Sequence, residues 1–236
     1  MCTMTWQRDE NGYEVFFNRD ELKTRSRALP PELQSTEEGV RYLAPIDPDA
    51  GGTWMLVNEY GVTVSLLNRW HEGASDEAGV KSKSRGQLVL SFANAKCASD
   101  VIEQLKKTDC SRFKPFTLVV LDKLEMQAQA WNGEFLLIEV TAAPLTSSSY
   151  CFSEVRRARC DRYTLLVKHD PASLQDYHAS HEEPSAYTVR MNRPDAQTWS
   201  RTRLSVGSED ISWQYLEEML DLGGDGIEHH TQLDLK

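Results

Sequence analysis

The sequence predicts an α+β fold built from antiparallel sheets, on two observations. Its strands come as hairpins, without the strand–helix–strand crossovers of a parallel sheet. Its helical runs fall between blocks of strands instead of alternating with single ones. Two stacked sheets with helices outside would bury this many apolar strands.

The elements follow in order. Residues 3–6 and 12–18 form two short strands around Glu10-Asn11-Gly12, with Tyr13, Val15 and Phe17 on one face. Residues 22–50 are polar and carry Pro30, Pro31, Pro45 and Pro48, so an irregular loop is expected. A hairpin joins Thr53–Val57 to Val62–Leu67 through Asn58-Glu59-Tyr60-Gly61. Residues 71–84 are polar and expected to be flexible. Two helices are expected at 86–95 and 98–107, the second with Val101, Ile102 and Leu105 on its apolar face. The β-rich run 116–121 precedes a hairpin of 126–131 and 134–140 across Asn132-Gly133. Residues 152–168 look helical, with Arg156, Arg157 and Arg159 as a solvated cationic face, and a short helix fits 173–179. A hairpin of 187–191 and 198–206 is expected to turn at Asn192-Arg193-Pro194-Asp195. Ile211, Trp213 and Tyr215 alternate in a last strand. The expected organisation is one domain over 1–222 and a frayed polar tail over 223–236.

Composition narrows the function classes. The 236 residues carry 26 basic and 36 acidic side chains, a formal charge of −10. That balance repels phosphate backbones and anionic lipid, which argues against nucleic acid as a partner. No apolar run approaches the roughly 18 residues of a membrane span. The start of the chain lacks the pattern of a secretory signal, and five scattered cysteines without a CxxC fit reduced thiols in a cytoplasmic protein. His178 and His181 are spaced as helix neighbours, but no carboxylate or cysteine motif surrounds them. Surface histidines are expected, and no metal.

The candidate chemistry begins at Cys2. Removal of Met1 would put a thiol and a free α-amine on one residue, and an amine with a pKa of about 7.7–8.0 can serve as base near neutral pH. Such a nucleophile needs no histidine. The end of the second strand, Asn18-Arg19-Asp20-Glu21, would lie close to Cys2 if that strand hairpins to residues 3–6. Arginine near a thiol lowers its pKa, and a carboxylate can hold the amine. Adjacent residues of a continuing strand point to opposite faces. Asn18 and Asp20 are therefore expected toward the thiol and Arg19 away from it, unless the strand ends first. Asn68 closes an apolar strand, where its amide could donate to an oxyanion. Trp54, after Gly51-Gly52, either lines a pocket or sits in the core.

Taken together, Met1-Cys2, Asn18-Arg19-Asp20-Glu21, Arg25-Ser26-Arg27, Gly51-Gly52-Thr53-Trp54, the Gly61-to-Asn68 strand and Arg85-Gly86-Gln87-Leu88-Val89 resemble the NRDE family, which includes the Transport and Golgi organisation protein 2 group. Ser147-Ser148 stands where that family has a Ser-Asn pair, and Met191 to Thr198 is similar to its closing hairpin. The family is in turn similar to N-terminal-nucleophile hydrolases of the choloylglycine and penicillin-acylase type. The resemblance implies a four-layer αββα sandwich and an attack by Cys2 on an amide or related acyl carbon. It further implies Arg19 near the thiolate, Asp20 on the α-amine and Asn68 in the oxyanion hole, with Trp54 and Ser148 about the substrate. No cofactor is expected. The alternative reading is a non-enzymatic binder on the same scaffold. Resemblance alone links that reading to haem or lipid handling and to Golgi organisation, since no haem-ligand motif is present.

Overall fold

The structure, a computed structural model, describes residues 1–70, 83–139, 142–182, 185–219 and 226–236. Two antiparallel sheets are stacked face to face. The six-stranded sheet contains β1 (Cys2–Asp9), β2 (Gly12–Leu22), β10 (Leu145–Ser147), β11 (Ala196–Val206), β12 (Asp210–Glu217) and β13 (Ile227–Asp234), in the order β10-β1-β2-β11-β12-β13. The seven-stranded sheet contains β3 (Leu29–Ser35), β4 (Arg41–Ile46), β5 (Met55–Asn58), β6 (Thr63–Asn68), β7 (Phe116–Leu121), β8 (Met126–Trp131) and β9 (Leu136–Ile138), in sequence order. The helices α1 (Arg85–Leu90) and α2 (Ala98–Lys107) cover the seven-stranded sheet. On the other sheet lie α3 (Phe152–Thr164), against β10, and α4 (Pro171–Ala179), against β2 and β11. The result is the four-layer αββα arrangement.

Alternation along the strands builds two cores. On β7, Val119 and Leu121 face the other sheet, while Phe116, Leu118 and Val120 face Leu88, Val89, Phe92, Val101, Ile102 and Leu105 of the helical layer. Tyr13, Val15 and Phe17 of β2 enter the core between the sheets as the sequence implies. There the Tyr13 hydroxyl donates to the Gly61 carbonyl at 2.8 Å and tethers one sheet to the other. Gly61 turns the β5–β6 connection with φ of +70°, and the buried Asn58 accepts from the Tyr60 and Val62 amides to shape that turn.

Four expectations are corrected. The stretch 22–50 contains the β3–β4 hairpin, despite its prolines. Pro30 and Pro31 sit on an edge strand, where a missing N–H is tolerated, and the register shifts between Leu29 and Glu32. The polar tail carries β13, paired with β12 from Asp210↔Asp234 to Glu217↔Ile227, and buries Leu233. Residues 187–190 are bends and Met191 is irregular, so no strand forms here. Their backbone is held by side chains: the Asn18 amide donates to the Val189 carbonyl at 3.0 Å, and the Met191 N–H donates to the Thr198 hydroxyl at 2.8 Å. The first helix after β6 stops at Leu90, short of the 86–95 expected. Residues 71–82 of the stretch expected to be flexible, Val140 of the second hairpin and 223–225 of the expected tail lie outside the described residues.

Candidate active site

The β1–β2 register sets the site. Cys2 pairs with Arg19, and Thr3 with Asn18, so Cys2 and Arg19 share one face while Thr3, Asn18 and Asp20 share the other. The first face looks inward. Cys2 and Met4 join the core between the sheets, and the Arg19 guanidinium lies 4.4 Å from the ring centroid of Trp54. The strand runs on to Leu22, and the register reverses the expected facing. It is Arg19 that stands with the thiol, while the side chains of Asn18 and Asp20 turn away from it, although Asp20 still borders the Cys2 cavity. A register shift in β11 between Thr198 and Ser200, opposite Asp20 and Arg19, marks a bulge at this point.

Cys2, Arg19, Trp54 and Asn68 line a cavity of about 390 Å³. Arg19 is 4% exposed, and its Nη2 lies 3.5 Å from Asp47 and 3.6 Å from Glu21. Its Nη1 is buried with no hydrogen-bond partner among the described residues. A buried guanidinium nitrogen left open beside a thiol is a donor in want of an acceptor. Lys83, Arg85 and Lys114 stand along the same cavity, with Arg25 paired to Asp47 at 2.5 Å. The approach of Lys83 and Arg85 depends on two glycines that the sequence offered only as parts of short motifs. A Cβ on Gly86 would stand 2.8 Å from the Thr53 amide nitrogen, and one on Gly52 would stand 2.6 Å from the Gly86 carbonyl carbon. Backbone meets backbone there, and Thr53 N–H donates to the Gly86 carbonyl at 3.2 Å.

Burial pushes the Cys2 thiol above its ordinary pKa. The nearby amino group of Met1 and the Arg19 guanidinium pull it down, and the Asp20 carboxylate pushes it up. Met1 continues the pairing beyond Cys2: its amine donates to the Asp20 carbonyl and its own carbonyl accepts from the Asp20 N–H, each at 2.8 Å. Its side chain packs against Met191 and Ala196.

The remaining candidates divide. Asn68 closes β6 where the Cys2 cavity meets a second one of about 550 Å³, whose wall includes Trp70, Leu145, Ser148 and Phe152. The Ser148 hydroxyl donates to the Tyr150 carbonyl at 2.5 Å. Asn18 is not in either cavity. Its amide donates to the carbonyls of His178 and Val189, and its Oδ1 accepts from His178 Nδ1 at 2.8 Å. The Asp20 carboxylate is taken by Arg159 Nη2 at 3.2 Å and by the Thr198 hydroxyl at 2.7 Å. His178, expected at the surface, is buried against Phe16 and Thr5. Arg159, expected on a solvated face, is fully buried. Among the described residues no cluster of His, Cys, Asp and Glu could hold a metal, and no helix is long and apolar enough to cross a membrane.

The fold has counterparts among solved structures. An N-acylethanolamine-hydrolyzing acid amidase ortholog from Caenorhabditis elegans has a TM-score of 0.62 at 13% identity, covering 86% of this chain and 92% of its own. A mutant of the conjugated bile acid hydrolase from Clostridium perfringens has a TM-score of 0.54 at 14% identity, covering 100% of this chain and 97% of its own. A second variant of that hydrolase gives 0.52 at 14% identity. At these identities the likeness is one of fold. No curated protein matches the chain. The profile of one family does match, over residues 1–152, more than half of the sequence: the chain belongs to the Transport and Golgi organisation 2 family.

Proposed function

We propose that this chain is a cysteine N-terminal-nucleophile hydrolase of an amide or related acyl bond. The observation that carries the reading is the Cys2–Arg19 pair, set side by side on one face of a hairpin and turned into a cavity that Asn68 also lines. With Met1 removed, the Cys2 amine would take the thiol proton and the thiolate would attack the acyl carbon. The Asn68 amide is the candidate donor to the resulting oxyanion. Collapse would expel the leaving amine with the proton from Cys2, leaving a thioester. Water, deprotonated by the same amine, would then hydrolyse it and return the thiol. The names of the neighbouring structures, hydrolases of N-acylethanolamines and of conjugated bile acids, are in keeping with this chemistry. Cations along the cavity, in a chain of net charge −10, favour a substrate that carries negative charge. The five free thiols fit a reducing compartment such as the cytoplasm.

The test is turnover by chain whose mass confirms loss of Met1, on a panel of acyl amides with neutral and anionic leaving groups. Release of the amine by the wild type, absent in Cys2→Ala, supports the reading. No release from any member by a chain with a free Cys2 amine counts against it. A second reading, a non-enzymatic binder of a hydrophobic small molecule such as a lipid or haem, is favoured by the larger neighbouring cavity with its Trp70, Leu145 and Phe152 wall. Tight binding that survives Cys2→Ala, without turnover, would select it.

A further inference from the structure

The outward face of the nucleophile hairpin holds a buried charge pair that the reaction above leaves unused. Arg159 projects from α3, with its side chain wholly excluded from solvent, as is that of Asp20. Its Nη1 donates to the Thr3 hydroxyl at 2.5 Å and its Nη2 to the Asp20 carboxylate at 3.2 Å. Thr3 follows Cys2 and Asp20 follows Arg19, so one guanidinium grips both strands directly behind the Cys2–Arg19 pair. The helix end of this grip is itself fixed, because the Tyr177 hydroxyl of α4 donates to the Arg159 carbonyl at 2.9 Å. A guanidinium fork spanning two strands fixes their spacing as a single hydrogen bond cannot. Arg159 also lies beyond residues 1–152, the part of the chain that the family profile matches.

We propose that Arg159 is a positioning residue for Cys2: it clamps the Thr3 hydroxyl and the Asp20 carboxylate behind the nucleophile and neutralises that carboxylate. The inference rests on the reading of Cys2 as the reactive group. Burial is the main influence that keeps the thiol protonated, and the negative charge of Asp20 adds to it. Among the described residues Arg159 is the cation bonded to Asp20, and the carboxylate's other oxygen accepts from the neutral Thr198 hydroxyl. The other charges about the thiol are the terminal α-amine, on Met1 in this structure and on Cys2 itself once Met1 is removed, and Arg19 and Glu21 on the same sheet. Across the cavity stand Arg25 with Asp47, and then Lys83, Arg85 and Lys114. All of these are retained in the variants below.

The experiment is the pH dependence of Cys2 alkylation by iodoacetamide in the full chain, with the other four thiols as internal standards. It needs no substrate, so it is separable from any failure of turnover. Removal of Arg159 takes away the cation bonded to Asp20 and leaves the carboxylate behind the thiol. Arg159→Met is therefore expected to raise the Cys2 midpoint by about one pH unit, roughly tenfold slower labelling at pH 8. Adding Asp20→Asn removes both charges and is expected to return labelling to within about threefold of wild type. A purely structural Arg159 predicts no such return. A wild-type midpoint in folded Arg159→Met, or a double variant as slow as the single, would overturn the proposal. If Arg159→Met does not fold, Asp20→Asn is compared with Asp20→Asn/Arg159→Met. The midpoint should drop in the first and rise again in the second, and equal midpoints would overturn the assignment.

Discussion

At the scale of single residues, the two faces of one strand do different work. Arg19 serves the cavity, whereas Asn18 is a staple between sheet and helix. Asn18 spends its amide on two carbonyls and its oxygen on His178 Nδ1. That leaves His178 Nε2 to accept from the Thr5 hydroxyl at 2.9 Å, so the neutral ring is the tautomer this network fixes. Burial, with Arg201 and Arg159 nearby, pushes the His178 pKa down to about 3 from 6.5. Between those values the unfolded chain binds the proton and the folded chain does not. This contribution to stability is complete above about pH 6.5 and is lost as pH falls toward 3. Urea denaturation midpoints across that range should therefore drop more steeply for the wild type than for His178→Gln, and parallel curves would refute the assignment. Asn18→Ala should cost about 2–4 kcal/mol, because it leaves His178 and two carbonyls unsatisfied. Cys2 labelling in the folded variant should stay near the wild-type rate. Arg19→Met should do the reverse: a higher Cys2 midpoint and roughly tenfold slower labelling at pH 8, for loss of the adjacent cation.

At the scale of elements, legibility followed turn chemistry. The β1–β2 and β5–β6 hairpins were readable because their turns and alternation agree. β3 and β13 were not, because edge strands take their stability from main-chain pairing and tolerate prolines and polar side chains. The facing of Asn18, Arg19 and Asp20 could not be read without the register, since a slip of one residue exchanges the two faces. Arg159 was hidden by its neighbours: in a run of arginines, nothing local distinguishes the one that a sheet will bury. The contact between the start of α1 and the Gly52–Thr53 segment before β5 is likewise a property of two segments at once. Gly86→Ala would set a methyl group against the Thr53 backbone. It should cost about 1–3 kcal/mol and displace Lys83 and Arg85. A thermal midpoint equal to wild type would show that the two backbones can part freely.

For the whole molecule, the four layers place an open thiol cavity at the end of a closed sandwich. β12 and β13 approach β3 on one side, where the Thr231 hydroxyl donates to the Pro31 carbonyl at 3.1 Å. At the chain end, Lys236 binds Glu59 through both backbone and side chain. The charge distribution sets cationic side chains along one cavity of an acidic body. Salt should therefore weaken binding of an anionic substrate while leaving a neutral one little changed, since exposed charges are screened over about 10 Å at 0.1 M. A KM for the anionic member of an amide pair that does not rise between 50 and 500 mM salt (roughly a threefold change in screening length) would remove the cavity cations from recognition.

The central claim is most directly tested by mass spectrometry of the chain after brief exposure to an activated acyl ester. The account predicts loss of Met1, one acyl group on Cys2 ahead of the other four thiols, and decay of that adduct with water. An intact Met1–Cys2 bond in a chain that nonetheless turns over acyl amides would contradict it, as would acylation distributed over all five cysteines.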